Sequence, residues 1–301
     1  RIICRSGSPI DPVDLELVSP HNARSLIVIP PETRDPDNFV IKTVLAITNH
    51  PNRHPEPYTI VTQIADPKNL QVIKMLGKGD RIFALQTKDI IARVTAQTSR
   101  QSGLSLVYTE LLNFGGDEIY FKKEDTLTGK TYGEALNAFE TSSVIGLFFA
   151  KGEIARLNPP MDTVIQPGDQ LICISADDDT IIKNSDLTIT IDDCLIRAKG
   201  RPASMRKERL LLLGWNSYSS TILRELYKYL VKGSQITVVA DESFRESVEA
   251  CCSRNDKQLY FKTGDTTSRV LLDQLKIADF DHVIVLADTT LNIQEADART
   301  L

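Results

Sequence analysis

Long apolar runs are missing from this 301-residue chain: the longest uncharged one, from Ser142 to Ala150, falls far short of a membrane-spanning helix, which needs roughly 20 residues. Cysteine is sparse, and Cys4, Cys173, Cys194, Cys251 and Cys252 form an odd set without CxxC spacing. Neither a disulfide framework nor a zinc ribbon is indicated, and a reducing compartment fits. Positive charge is not in excess either. Lys and Arg number 35 against 40 Asp and Glu, giving a net charge of -5 and a pI near 5.5, the reverse of a general nucleic-acid binder. No GxSxG elbow, HExxH pair or GxxxxGK[ST] loop occurs, so hydrolase, protease and NTPase chemistries lack a starting residue and no enzyme activity is expected. Histidine offers little: His50 and His54 flank Pro51-Asn52-Arg53 in a Pro-rich loop that reads as a solvated connection. His21 and His282 lie at strand approaches without companion ligands at metal spacing. The opening Arg1-Ile2-Ile3-Cys4 has no starting Met and no signal or transit segment, so the chain reads as part of a longer protein.

What is present is α/β rhythm. With 42% hydrophobic and 25% charged residues the chain can build two or three domains. Continuous apolar runs at Ser25–Ile29, Tyr58–Ile64 and Arg81–Leu85 read as strands of a parallel sheet, and Val13–Val18, Phe39–Thr48, Leu70–Leu76 and Ile90–Thr98 as helices between them. Residues 1–103 are therefore expected to form a partial Rossmann-like unit whose first strands lie upstream. Residues 104–180 add a crossover helix and a small α+β subdomain, with strands at Glu118–Phe121, Ser143–Phe149 and Gln170–Ile174. Lys151-Gly152-Glu153 is placed as a hairpin turn and Pro167-Gly168-Asp169 as the start of the last strand. Residues 181–207 are polar and irregular, a linker. Residues 208–301 resume the rhythm as a second partial Rossmann-like unit, with strands at Arg209–Gly214, Gln235–Ala240, Leu259–Lys262 and His282–Leu286.

The two ends repeat each other. A shift of 257 positions carries Gly7 onto Gly264, Leu15 onto Leu272, Val18 onto Leu275 and Ile27–Ile29 onto Ile284–Leu286 without a gap. Turn, helix and strand keep register, as two copies of one α/β unit would.

Two sites for ligands stand out. A dinucleotide turn needs three glycines, for the tight turn, for close approach of the pyrophosphate and for helix packing. Here Gly214-Trp215-Asn216-Ser217-Tyr218-Ser219 keeps only the first, and Trp215 adds bulk at the mouth. Gly214, Asn216 and Asp241, which ends the next strand where a ribose hydroxyl would lie, are the candidate ligand residues. NAD is not the expected occupant, and a structural turn capped by Asn216 or Ser217 is the competing reading. Asp177-Asp178-Asp179 supplies hard oxygen ligands of the kind Ca²⁺ takes, with Asp117, Glu118 and Asp192 as further candidates, against the plainer reading of a solvated turn. Adjacent Cys251 and Cys252 are expected to be inert helix thiols.

Gly129-Lys130-Thr131-Tyr132, Ile145–Phe148, Asn158-Pro159-Pro160-Met161-Asp162-Thr163 and Pro167-Gly168-Asp169-Gln170-Leu171, in that order, resemble the C-terminal subdomain of RCK (regulator of potassium conductance) domains. Ile3–Pro9, the Gly214-Trp215 turn and Ala176–Thr180 look more particularly like the CASTOR/POLLUX branch. The resemblance implies tandem RCK N-type Rossmann units around an RCK C-type subdomain. It also implies a homotetrameric gating ring on the cytosolic side of the protein's own pore domain, in a potassium- or calcium-conducting cation channel. Such a ring answers to a small ion or nucleotide, here a divalent cation, and sits at the nuclear envelope in plants or the cell membrane in bacteria. The alternatives are a nucleotide-binding subunit of a potassium-uptake transporter and, more remotely, an NAD(P)-dependent oxidoreductase.

Overall fold

The computed structural model describes residues 2–33, 35–77, 79–184, 206–251, 258–289, 291 and 293–300. They divide into two compact units, one made of residues 1–100 and 206–301, the other of residues 101–205. Most of the stretch read as a linker, residues 185–205, lies outside the described residues, as do Asp192, Cys194 and Cys252.

The first unit opens with α1 (Pro12–Glu16), β1 (Leu26–Val28), α2 (Pro36–Thr48), β2 (Thr59–Gln63), α3 (Pro67–Leu76), β3 (Arg81–Leu85) and α4 (Thr87–Thr98). One device starts three of these helices. Asp11-Pro12, Asp35-Pro36 and Asp66-Pro67 each put a carboxylate at the N-cap, where it accepts from the backbone N–H of Val13, Asn38 or Lys68, and each put proline where no helical N–H bond is lost. The strands pair in parallel in the order β1-β2-β3. Val28 and Ile60 join Leu15, Val40, Val44, Ile47 and Ile73 from the helices in one core.

The second unit runs α5 (Leu104–Leu111), β4 (Glu118–Lys122), α6 (Tyr132–Leu136), β5 (Ser143–Phe149), β6 (Ile154–Leu157) and β7 (Gln170–Ser175). Its antiparallel sheet has the order β4-β7-β5-β6. The expected hairpin joins β5 to β6, with Gly152 at φ 98°, and the Pro167-Gly168-Asp169 turn delivers β7. Asp169 fixes that turn from inside, accepting from the backbone N–H of Gln166 at 2.9 Å and Ala150 at 3.0 Å. Thr131 and Glu134 make a reciprocal capping box on α6. Leu127, Tyr132, Leu147, Leu171 and Cys173 lie at the centre, and burial pushes the Cys173 thiol up to about 11, so it stays unionised.

The first unit resumes with β8 (Arg209–Leu213), α7 (Ser219–Tyr229), β9 (Gln235–Ala240), α8 (Arg245–Ala250), β10 (Gln258–Thr263), α9 (Arg269–Leu275), β11 (His282–Val285) and α10 (Ile293–Thr300). All four strands are parallel in the order β10-β9-β8-β11, the 3-2-1-4 arrangement of a doubly wound sheet. Strand β8 is covered on both faces. Leu210 and Leu212 pack with Ile222, Leu223, Leu226 and Val248, while Leu211 and Leu213 pack with Leu272, Leu275 and Phe280. Helix α4 of the first half enters the same core through Ala92 and Ala96, both fully buried. Charges flank this contact: Arg93 meets Glu225 at 3.1 Å, and Arg100 makes a bidentate pair with Glu208.

The repeat holds element by element. Helix α1 maps onto α9, left-handed Ser19 (φ 47°) onto left-handed Lys276 (φ 50°), the 3-10 turn Pro20–Asn22 onto Ile277–Asp279, and β1 onto β11. Even the reason for the glycines is shared. A Cβ on Gly7 would stand 3.0 Å from Asp14, and one on Gly264 would stand 2.5 Å from the matching Leu271. Since β11 is the fourth strand of its sheet, β1-β2-β3 are the equivalents of strands four, five and six.

The α4 contact tolerates no added volume. Ala96→Leu should lower the unfolding free energy by ~1–3 kcal/mol through overpacking, read by urea denaturation; unchanged stability would show that α4 does not seal this core.

Candidate functional site

The carboxyl ends of β8, β9, β10 and β11 open into a crevice of about 740 Å³, where open α/β sheets hold their ligands. Gly214, Trp215, Asp241, Asp265, Asp288 and Arg299 line it. Gly214 is obligatory there: its φ is +92°, and a Cβ would come within 2.5 Å of the Leu286 carbonyl oxygen. Trp215, expected to add bulk at the mouth of the turn, lines the crevice and is otherwise almost wholly buried in the core beneath it. An indole ring finds more apolar contact inside than at a polar rim.

Asn216 fills the place of the missing second glycine and ties the turn together through its own side chain. Its Oδ1 accepts from the Tyr218 N–H at 3.0 Å, and its Nδ2 donates to the Ala287 carbonyl at 2.8 Å. The backbone N–H of Asn216 donates to the Ser219 hydroxyl at 2.8 Å, and Ser219 is fully buried. In a glycine-rich turn such amides face phosphate; here side chains of the turn itself take them.

The walls are acidic. Asp241 caps the following turn, accepting from the Ser243 hydroxyl at 2.7 Å and its N–H at 3.0 Å, and these bonds hold its carboxyl below the usual range. The Thr267 amide and hydroxyl do the same for Asp265, with Arg299 adding to the effect. Arg299 stands 3.8 Å from both Asp265 and Asp288, a cation between two carboxylates. On the rim, Glu242 is lowered to about 2 by Arg245 and the Thr263 hydroxyl. The crevice is therefore negative with a single fixed guanidinium among the described lining residues, and an unshielded pyrophosphate would meet repulsion in it.

In the second unit Asp177, Asp178 and Asp179 follow β7, and their carboxylates bring one oxygen each within 4.8 Å of the others, all three exposed. Asp177 also has a structural role, since its Oδ1 accepts from the Asp178 N–H at 2.7 Å. Glu118 pairs with Ser175 in the β4–β7 ladder, so Asp117 and Glu118 sit at the sheet end from which the aspartates emerge. Their fields overlap at Tyr120: burial, its hydrogen bond to Glu118 and the nearby Asp177 and Asp178 push its phenol up to about 12.

A family model described as "Castor and Pollux, part of voltage-gated ion channel" matches residues 88–192. The whole chain aligns with the probable ion channel POLLUX of Arabidopsis thaliana, 28% identical over 311 residues and 37% of that protein. It aligns equally with the probable ion channel CASTOR of Oryza sativa subsp. japonica, 29% identical over 312 residues and 34% of that protein. The chain is CASTOR/POLLUX-like. It spans about a third of the length of these curated relatives. Among solved structures the human SLO3 gating ring superposes on 98% of this chain and 61% of its own, with a TM-score of 0.65 and 17% identity, a likeness of fold. The expected α/β class with Rossmann-like sheets, and the resemblance to CASTOR/POLLUX channels and RCK gating rings, are thus what the structure and its relatives carry. Among the described residues no helix is long and apolar enough to cross a membrane.

One group of this CASTOR/POLLUX-like chain is invisible in the sequence. His50 is buried rather than solvated, and His21, expected to have no companions, lies with Glu16 and His50 in a single cluster of ligating atoms. Nothing in local spacing signals it, because a helix, a turn and a distant loop contribute one residue each.

The Asn216 cap has a measurable value. Asn216→Ala should lower unfolding free energy by ~0.5–2 kcal/mol, the range for loss of a capping side chain; no change in a chemical denaturation curve would mean that the turn holds without it.

Proposed function

We propose that this chain is the ligand-responsive gating portion of a cation channel, placed on the cytosolic side of a pore formed elsewhere in the same protein and assembled from four copies. The observation that carries this reading is the end-to-end alignment with CASTOR/POLLUX channels of a chain that has the fold of a gating ring. A ligand can drive such a pore only by binding one conformation of the ring more tightly than the other. The ligand we propose is a divalent cation held in part by Asp177, Asp178 and Asp179, which bring one oxygen each within 4.8 Å of the others just after β7 and are of the type Ca²⁺ takes. The self-satisfied Asn216 turn and the acidic walls of the crevice speak against a dinucleotide, and with it against hydride-transfer chemistry and a nucleotide-sensing transporter subunit.

The test is a conductance record from the full-length protein in a planar bilayer across a Ca²⁺ series. Changing Asp177, Asp178 and Asp179 to Asn should raise the Ca²⁺ needed for half response by at least about tenfold, the usual cost of lost or weakened metal contacts. A wild-type current indifferent to Ca²⁺ would remove the cation from the proposal, and the absence of any current would remove the channel.

A further inference from the structure

We propose that Glu16, His21 and His50 form a binding site for a borderline divalent transition metal of the Zn²⁺ type, at the amino-terminal edge of the first sheet. Glu16 ends α1, His21 sits in the 3-10 turn that leads into β1, and His50 follows α2 in the loop that leads into β2. Their ligating atoms all fall within 4.8 Å of one another. Glu16 Oε1 lies 3.5 Å from His21 Nε2 and 3.5 Å from His50 Nε2. Metal–donor bonds of 2.0–2.2 Å in a tetrahedral shell place neighbouring donors about 3.4 Å apart, so both edges already have the spacing of a metal shell.

The state of each donor supports the assignment. His21 Nε2 is buried without a hydrogen-bond partner, a cost that an occupied coordination site would remove. Its other nitrogen, Nδ1, is 2.8 Å from the Tyr58 hydroxyl. That hydroxyl accepts from the His54 backbone N–H and is held in place, as the outer partner of a ligating imidazole usually is. The Asn52 amide donates to Glu16 Oε1 at 2.8 Å and orients the carboxylate. His50 Nε2 faces the Pro12 carbonyl at 3.1 Å, and its Nδ1 accepts from the Asn52 N–H at 3.1 Å. Ligation through His50 Nε2 moves the ring proton to Nδ1 and gives up both bonds, so the Pro12 carbonyl and the Asn52 N–H must turn aside when the metal enters. The side chain of Glu16 is 41% exposed against 3% for His50, which leaves one open route from solvent.

Two imidazole nitrogens and one carboxylate suit Zn²⁺ and its neighbours and do not suit Ca²⁺, which takes six to eight oxygens. The fold does not require the group. Under the 257-residue repeat Glu16 corresponds to Asp273 and His21 to Ala278, and the second half builds the same helix, turn and strand without an imidazole. The site also lies at the opposite strand ends from those where open α/β sheets hold their ligands.

Titration calorimetry of the chain with ZnCl₂, paired with the visible spectrum of its Co²⁺ form, tests the site. We expect Glu16→Gln and His21→Gln each to weaken Zn²⁺ binding by at least about tenfold, and Tyr58→Phe by about tenfold through the positioning of His21. Binding should weaken on acidification, because protons compete for the imidazole lone pairs. The Co²⁺ form should show four-coordinate bands without thiolate charge transfer, which separates this site from the free thiols of Cys4 and Cys251. Circular dichroism confirms folding of each variant. Should His21→Gln fail to fold, Glu16→Gln, on the exposed end of a short helix, decides alone. Unchanged Zn²⁺ affinity in the folded variants, or a thiolate-type Co²⁺ spectrum, overturns the proposal.

Discussion

Strand β8 is the constraint on which the larger unit depends. Leu210 to Leu213 face apolar partners on both sides, so the strand is stable only where helices cover both faces of the sheet. Helices α7 and α8 supply one cover and α9 the other, and that requirement fixes the crossover after β10. The small residues Ala92 and Ala96 then let α4 of the first half close on α7. Two sheets that each present only part of a doubly wound order are joined by this one apolar seam, with Arg93–Glu225 and Arg100–Glu208 at its margins. Moving β8 would move Gly214, and with it the crevice.

The crevice shows how a shared fold can keep a shape and change its chemistry. Gly214 cannot be replaced without driving a Cβ into the Leu286 carbonyl, so the first turn of the nucleotide-type site persists for packing reasons. The next positions are free of that demand. Asn216 there ties the turn to Ala287 beyond β11, and the Asn216 and Tyr218 amides are taken by side chains of the turn itself. Carboxylates at Asp241, Asp265 and Asp288 line the cavity, and Arg299 between two of them reduces their mutual repulsion.

Much of this is legible in the sequence, for identifiable reasons. Continuous apolar runs mark the parallel strands because those strands are buried on both faces, and the 257-residue repeat is visible because glycine, helix and strand must keep register to pack. The Gly214 turn is degenerate on sequence alone, and the structure adds the bonds by which Asn216 and Ser219 hold it. The position of Trp215 does not follow from its place in the chain, since a residue beside a turn can point either way and only the surrounding core decides. His21 and His50 are hidden for a different reason. They lie far apart in the chain, and their meeting depends on how the loop after α2 folds back over α1, which no periodicity encodes.

The repeat also separates what the fold demands from what it leaves free. Positions that match under the shift serve packing or backbone geometry, with Gly7 and Gly264 beneath a helix, Ser19 and Lys276 in left-handed turns, and Leu15 and Leu272 against a sheet. Positions that differ carry polar chemistry, His21 against Ala278 above all. Burying an imidazole nitrogen without a hydrogen-bond partner is unfavourable, and Ala278 shows that the turn forms without one. A residue that the architecture does not need, bonded to Tyr58 on one side and facing a carboxylate and a second imidazole on the other, is the observation on which the proposed metal site rests. The two halves of the first unit share one scaffold, with the crevice at the carboxyl strand ends of the second half and the proposed metal site at the amino strand ends of the first.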